Sequence, residues 1–287
     1  MKKTGRTFNF YRYQILPKFE ERQLELFVPR LEISSMEELI SKKNEIFADA
    51  LKKQGKFSHP RSELTHQMDE VNGFLVLQIG ANRSLIRITK DFVPEELDNW
   101  PSVHVIINNN PNVQMMAIEL EEQAFYRTST VVHILTTNLN KSLHKYGLVL
   151  EIMPIISESE FWKVVRTHKG RVTRVQFFMV APNLANISKN LALDLGELKN
   201  RTNSLHTNLS LAAPSGEALK LSEDDKFTQS LVHYAAEGGG TTHLKIKGLR
   251  KIIRTEDSIK SIEVDEIYFS GDDVPIQLVA QLKKVLE

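Results

Sequence analysis

The chain has 287 residues, 41% hydrophobic and 25% charged, which is enough for two ordinary domains with a buried core. Its 13 Gly and 10 Pro exclude a collagen-like or low-complexity chain, and the absence of Cys excludes a disulfide scaffold, thiolate metal sites and a Cys nucleophile. The 37 basic and 36 acidic residues nearly cancel, so only local charge can point to a partner.

Residues 8–16 (FNFYRYQIL) read as a strand, with Phe8, Phe10 and Arg12 on one face. The basic start Met-Lys-Lys-Thr-Gly-Arg does not run into the apolar stretch of a secretion signal, and no uncharged apolar run reaches membrane-helix length. A soluble, cytoplasmic protein with no membrane partner is expected. Residues 35–55 predict a helix, with Glu37 and Glu38 at its positive end and Lys52 and Lys53 at the other. Two hairpins follow. One joins 73–79 to 84–89, and the other joins 102–107 to 113–120 through an Asn-rich turn that tolerates left-handed backbone. Residues 121–145 carry a helical pattern.

The second half alternates. Strands are predicted at 148–156, 172–181, 207–212 and 241–246, with an alternating run over 256–269. Helices are predicted at 157–168, 187–200, 222–237 and 274–286. Ser157 and Glu160 have the spacing of a capping box. The expected fold is mixed α/β and α+β in two tightly packed lobes. Residues 1–155 would form an N-terminal α+β lobe with hairpins, and residues 156–287 a C-terminal lobe of alternating βαβ units.

Basic side chains are grouped. Lys2, Lys3, Arg6 and Arg12 open the chain without an acid among them. Lys163, Arg166, Lys169, Arg171 and Arg174 face only Glu160, and Lys245, Lys247, Arg250, Lys251 and Arg254 face no acid. Residues 256–273 are acidic instead, through Glu256, Asp257, Glu263, Asp265, Glu266, Asp272 and Asp273. Clustered Lys and Arg suit a phosphate backbone, because each neutralised phosphate releases counterions. Tyr11, Tyr13, Phe161 and Trp162 lie in or beside these groups and could stack on bases if exposed. A charge run is equally the mark of a solvated face, and Phe161 and Trp162 fall on the apolar side of an amphipathic helix.

Few catalytic motifs survive inspection. Gly238-Gly239-Gly240 follows a helix and precedes a strand, the reverse of a phosphate-cradling loop. It reads as a helix stop, or as a loop of close approach or mobility. The 9 His show no metal spacing, and neither a metal nor a cofactor is expected. His104 lies in a strand, with its face left open. Glu263 and Asp265 share a side of a strand-like run but lack the Lys partner of a metal-dependent nuclease. Arg201 and His206 match the Arg-x4-His spacing of the HEPN-type ribonucleases, which would give His proton transfer and Arg the phosphate. Here Thr202 follows the Arg, and the pair falls where a helix passes into a strand.

RVTRVQFFMVAPNL (171–184) and DDKFTQSLVHYAAEGGGTTHLKIKGLRK (224–251) resemble an uncharacterised bacterial family associated with mobile elements and anti-phage defence. That resemblance implies a defence context and assigns no activity to any residue. The expected function is a non-catalytic nucleic-acid-binding component of such a system. Phosphates would be held by Lys163, Arg166, Lys169, Arg171, Arg174, Lys245, Lys247, Arg250 and Lys251. The partners would be DNA or RNA, with a second copy of the chain or proteins of a defence operon. The alternatives are a ribonuclease or nuclease effector using Arg201 and His206, and an assembly subunit of sensor or antitoxin type.

Overall fold

In a computed structural model, residues 5–18, 33, 35–182, 191, 194–271 and 273–287 are described. The fold is mixed α/β, as expected. Contacts gather the chain into two compact units that do not follow the division at residue 155. One unit takes the described parts of Met1–Asn9, Met36–Leu148 and Ser261–Glu287. The other takes those of Phe10–Ser35 and Val149–Lys260.

The first unit is built on strands β1 (Gly5–Pro17, through its first residues), β2 (Leu64–Val71), β3 (Phe74–Ala81), β6 (Ser102–Asn108), β7 (Met115–Glu119) and β13 (Ser261–Asp265), in the order β13-β1-β7-β6-β3-β2. Helices α1 (Met36–Lys52) and α2 (Thr128–Leu143) pack on each other, and α2 on β7. The last helix of the chain (Val274–Leu286) packs on β2, β6 and β7, and Asn108 donates to its Leu286 carbonyl at 2.8 Å.

The hairpin expected between 73–79 and 84–89 does not form. β3 pairs instead with β2, through Asn72 and Gly73 at φ 51° and 83°. Two left-handed residues match the twist of a hairpin, and Asn-Gly is the pair that adopts them most readily. Residues 84–89 contribute β4 (Leu85–Ile88), which pairs with β5 (Pro94–Leu97) in a separate two-stranded ribbon. The second hairpin, β6 with β7, is as expected.

Helix α2 is shorter than its pattern. Glu121 to Phe125 make a turn, Arg127 is extended, and a 3-10 turn ends at Gly147 with φ 66°. The acidic run 256–269 holds only β13 as strand between two 3-10 turns.

One row of polar residues crosses this sheet. Gln67 lies opposite Gln78, Gln78 opposite His104, and His104 bonds Glu119 on the next strand. Glu119 is buried. It accepts from the His104 backbone N–H at 2.9 Å, from His104 Nδ1 at 2.7 Å and from Arg6 at 2.9 Å. Burial pushes the Glu119 carboxyl up, but the bonds and charges of His104 and Arg6 outweigh this and hold it below the usual carboxylate range.

In the second unit, β8 (Leu148–Pro154) pairs with β1. A four-stranded sheet has the order β10-β9-β11-β12, from β9 (Val172–Val180), β10 (His206–Ala212), β11 (Gly240–Ile246) and β12 (Ile253–Arg254). Its helices are α3 (Glu158–Thr167), α4 (Leu195–Thr202) and α5 (Lys226–Tyr234); the last helix of the chain is therefore α6. Strand and helix alternate along the chain as expected, but every pairing within this sheet is antiparallel. Much of the helix expected at 187–200 lies outside the described residues. Helix α5 begins at Lys226, later than its pattern, because the Asp225 carboxylate caps it by accepting from the Thr228 N–H at 2.9 Å. The capping box at Ser157 is absent, since the Ser157 hydroxyl bonds Ser159 instead.

The triple glycine is a close-approach element. A Cβ on Gly238, which also has φ 83°, would lie 2.5 Å from Arg12 Cβ. On Gly239 it would enter the Tyr234 ring, and on Gly240 it would overlap the Phe178 carbonyl oxygen. Gly240→Ala has only backbone to push against and is expected to destabilise the protein by about 3 kcal/mol, read by denaturant unfolding. A second expectation concerns pH. Because the folded Glu119 pKa is depressed, its contribution is present above the ordinary carboxylate pKa and is lost as pH falls through the folded value. Glu119→Gln should therefore lower stability at neutral pH by on the order of 3 kcal/mol and flatten the acid limb of the stability profile.

Candidate nucleic-acid interface

Strand β9 alternates from Arg174 to Met179. Val175, Phe177 and Met179 enter a core with Phe161, Trp162 and Val165 of α3, with Leu231, Val232 and Tyr234 of α5, and with Leu244 and Ile246 of β11. With the helices on that side, Arg174, Gln176 and Phe178 must point the other way. The register sets their neighbours. Arg174 lies between Ala212 and Lys245, Gln176 between Ser210 and His243, and Phe178 between Asn208 and Thr241. Arg254 of β12 sits beside His243. Asn208, Ser210, Arg174 and Arg254 are exposed, while Gln176, Phe178, His243 and Lys245 are half-buried. The Phe178 and His243 rings have centroids 4.7 Å apart at 55°.

At one end this face dips into a cavity of about 540 Å³, lined in part by Arg174, His243, Lys245, Lys247, Arg250 and Glu217. A register shift after Lys245 and the left-handed Gly248 turn the chain so that Lys247 and Arg250 reach the same cavity. The ammonium of Lys245 is fixed by the Leu249 and Arg250 carbonyls at 3.0 and 3.1 Å. Lys247 donates to Gly216 at 3.3 Å. Four cations thus share a space whose lining holds one carboxylate, a combination that attracts an anionic chain.

The remaining expected residues do not join them. Lys163 pairs with Glu160 at 3.2 Å and Arg166 pairs with Glu223, both from α3, the helix that closes the opposite side of the sheet. Lys251 pairs with Asp257 at 3.6 Å. Arg171 stands at the rim, donating to the Lys247 carbonyl at 3.0 Å, and Lys169 is exposed in the turn before it. Of the first basic group, Lys2 and Lys3 lie outside the described residues. Arg6 is held by Glu119 and Glu266, and Arg12 is buried against Glu237. The rings considered for stacking, Tyr11, Tyr13, Phe161 and Trp162, are all buried. The acidic run divides between the units. Glu256 meets His243 at 3.5 Å, while Glu263 and Asp265 lie opposite Thr7 and Gly5.

Arg201 and His206 end up with different carboxylates. Arg201 pairs with Glu197 one helical turn back, and His206 Nε2 lies 3.3 Å from Glu151. Burial pushes the Glu151 carboxyl up, and the charge of His206 opposes this. Among the described residues no group of three His, Asp or Glu is placed to hold a metal ion. No described helix is long and apolar enough to cross a membrane.

Gln176, Phe178, His243, Asn208 and Ser210 belong to this face and were missed by sequence reasoning. The signal was present in the period of two, since Gln176 and Phe178 alternate with Val175, Phe177 and Met179, Asn208 and Ser210 with Leu209 and Leu211, and His243 and Lys245 with Leu244 and Ile246. Comparison with protein families, curated proteins and solved structures finds no match.

Proposed function

We propose that the protein binds nucleic acid on the open face of the four-stranded sheet, without cleaving it, in the anti-phage setting that the sequence resemblance implies. The convergence of Arg174, Lys245, Lys247 and Arg250 on one cavity supports this reading. The cations hold phosphates there. Phe178 and His243 offer ring surface to unstacked bases, and Gln176, Ser210 and Asn208 offer hydrogen bonds to base edges. A single strand suits an open sheet better than a duplex, because its bases can splay onto the rings.

The test is fluorescence anisotropy of a labelled single-stranded oligonucleotide over a range of salt concentrations. Affinity should fall steeply with salt, and Arg174→Glu or Arg250→Glu should flatten the slope by about one unit per lost phosphate contact. Phe178→Ala should cost about 1–3 kcal/mol of binding with little effect on folding. Absence of binding at low ionic strength overturns the reading. The rival ribonuclease is tested by RNA degradation with and without His206→Ala, since cleavage that depends on His206 would replace binding by catalysis.

A second reading, self-assembly, is favoured by the ribbon of β4 and β5. Leu85, Ile86, Ile88, Phe92 and Val93 are all more than half exposed on it. A lone two-stranded ribbon is marginal in water, and an apolar patch of this kind is an interaction surface. The ribbon also carries Arg87 and Lys90 near Glu95 and Glu96, a pattern that a second copy can answer with its own charges. Mass in solution should show an oligomer that Ile86→Ser with Phe92→Ser converts to monomer. A monomeric parent protein removes this reading.

A further inference from the structure

The polar row of the first unit borders a cavity of about 470 Å³, whose lining includes Gln67, Asp69, Gln78, Ser102, His104 and Phe269. Its chemistry narrows what can occupy it. Arg6, also at the wall, is paired with Glu119 and Glu266 and lies over the Phe269 ring at 4.1 Å. It has little positive charge left for an anion, and Asp69 adds a negative one. No metal-holding group of three occurs among the described residues. An apolar ligand would leave amides, a hydroxyl and an imidazole without partners, at a cost for each.

The hydrogen-bonding capacity of the wall is specific. Glu119 is held ionised and can only accept, so His104 Nδ1, at 2.7 Å, carries a proton. His104 Nε2 makes no hydrogen bond with any described residue and can meet a hydroxyl, which both gives and accepts. Ser102 Oγ accepts from Gln78 Nε2 at 2.8 Å and keeps its own proton to donate. Asp69 is a further acceptor, and Gln67 can give and take.

We propose that this cavity binds a neutral polyol through a vicinal diol, as found in a ribose or a hexose. The Asp69 carboxylate takes a hydroxyl proton, His104 Nε2 meets the neighbouring hydroxyl, and Ser102 and Gln67 donate back to the hydroxyl oxygens. Hydroxyls both give and accept, so they fit a wall of mixed sense better than an ion or a hydrocarbon does. Glu119 is a positioning residue, since it holds the His104 ring through Nδ1. The proposal rests on no part of the nucleic-acid reading.

The test is amide NMR of the full chain titrated with adenosine, 2′-deoxyadenosine, ribose and glucose. Saturable shifts at Ser102 and His104 are expected with adenosine if the source is a nucleoside, or with ribose or glucose alone if it is a free sugar. Asp69→Asn, at an exposed position, should fold normally and weaken that binding about tenfold. Equal response to adenosine and its 2′-deoxy form, or no saturable response to any probe at millimolar concentration, overturns the proposal. A long-range ¹H–¹⁵N spectrum gives a second reading. A proton on His104 Nδ1 is expected, and an unprotonated Nδ1 overturns the assignment.

Discussion

A sheet covered by helices on one side only must be apolar on that side and polar on the other, and among the described residues the second unit is organised by this constraint. Strand β9 carries it most clearly. Val175, Phe177 and Met179 fill the core under α3 and α5, so Arg174, Gln176 and Phe178 are presented outward whatever their use. Antiparallel pairing then lines up Lys245 with Arg174 and His243 with Gln176 from residues far along the chain. The cationic cavity is a product of register. A slip of one residue in β11 would turn Lys245 into the core and Leu244 onto the open face.

The glycine triplet sustains that register. Gly240 is the first residue of β11 and passes against the Phe178 carbonyl, Gly239 passes the Tyr234 ring, and Gly238 passes Arg12. Tyr234 is itself fixed by donating to the Val180 carbonyl at 2.6 Å, and its burial pushes the phenol pKa far up. Three positions without side chains let α5 turn directly into a central strand. The two alternatives left open by the sequence, mobility and close approach, are therefore decided for close approach by contacts distant in sequence.

Legibility in the sequence followed the range of the interactions. Local patterns gave α6 at its full extent, as well as β8, β9 and the β6–β7 hairpin, because periodicity and turn chemistry act over a few residues. The β2–β3 hairpin was missed although Asn72-Gly73 is a strong turn signal, because β2 carries Thr65, His66, Gln67, Asp69 and Glu70 and shows little apolar character. Charge grouping located Arg174, Lys245, Lys247 and Arg250, yet it could not separate them from Lys163, Arg166 and Lys251. What distinguishes the two sets is a carboxylate brought close by folding, such as Glu223 or Asp257. The row from Gln67 to Glu119 spans four strands and has no local signature at all.

The pairing of β1 with β13 has a bearing on how the chain matures. Gly5 lies opposite Asp265, so β1 waits on the ribosome for a partner made long after it. Such wide separation slows folding, because a long loop must close before the contact is gained. Until then β1, with Phe8 destined for full burial, remains an unsatisfied edge open to wrong pairing. Chaperone dependence during translation, and relief of it by moving the β13 segment ahead of β1 in a circular permutant, would be the cellular trace of this topology.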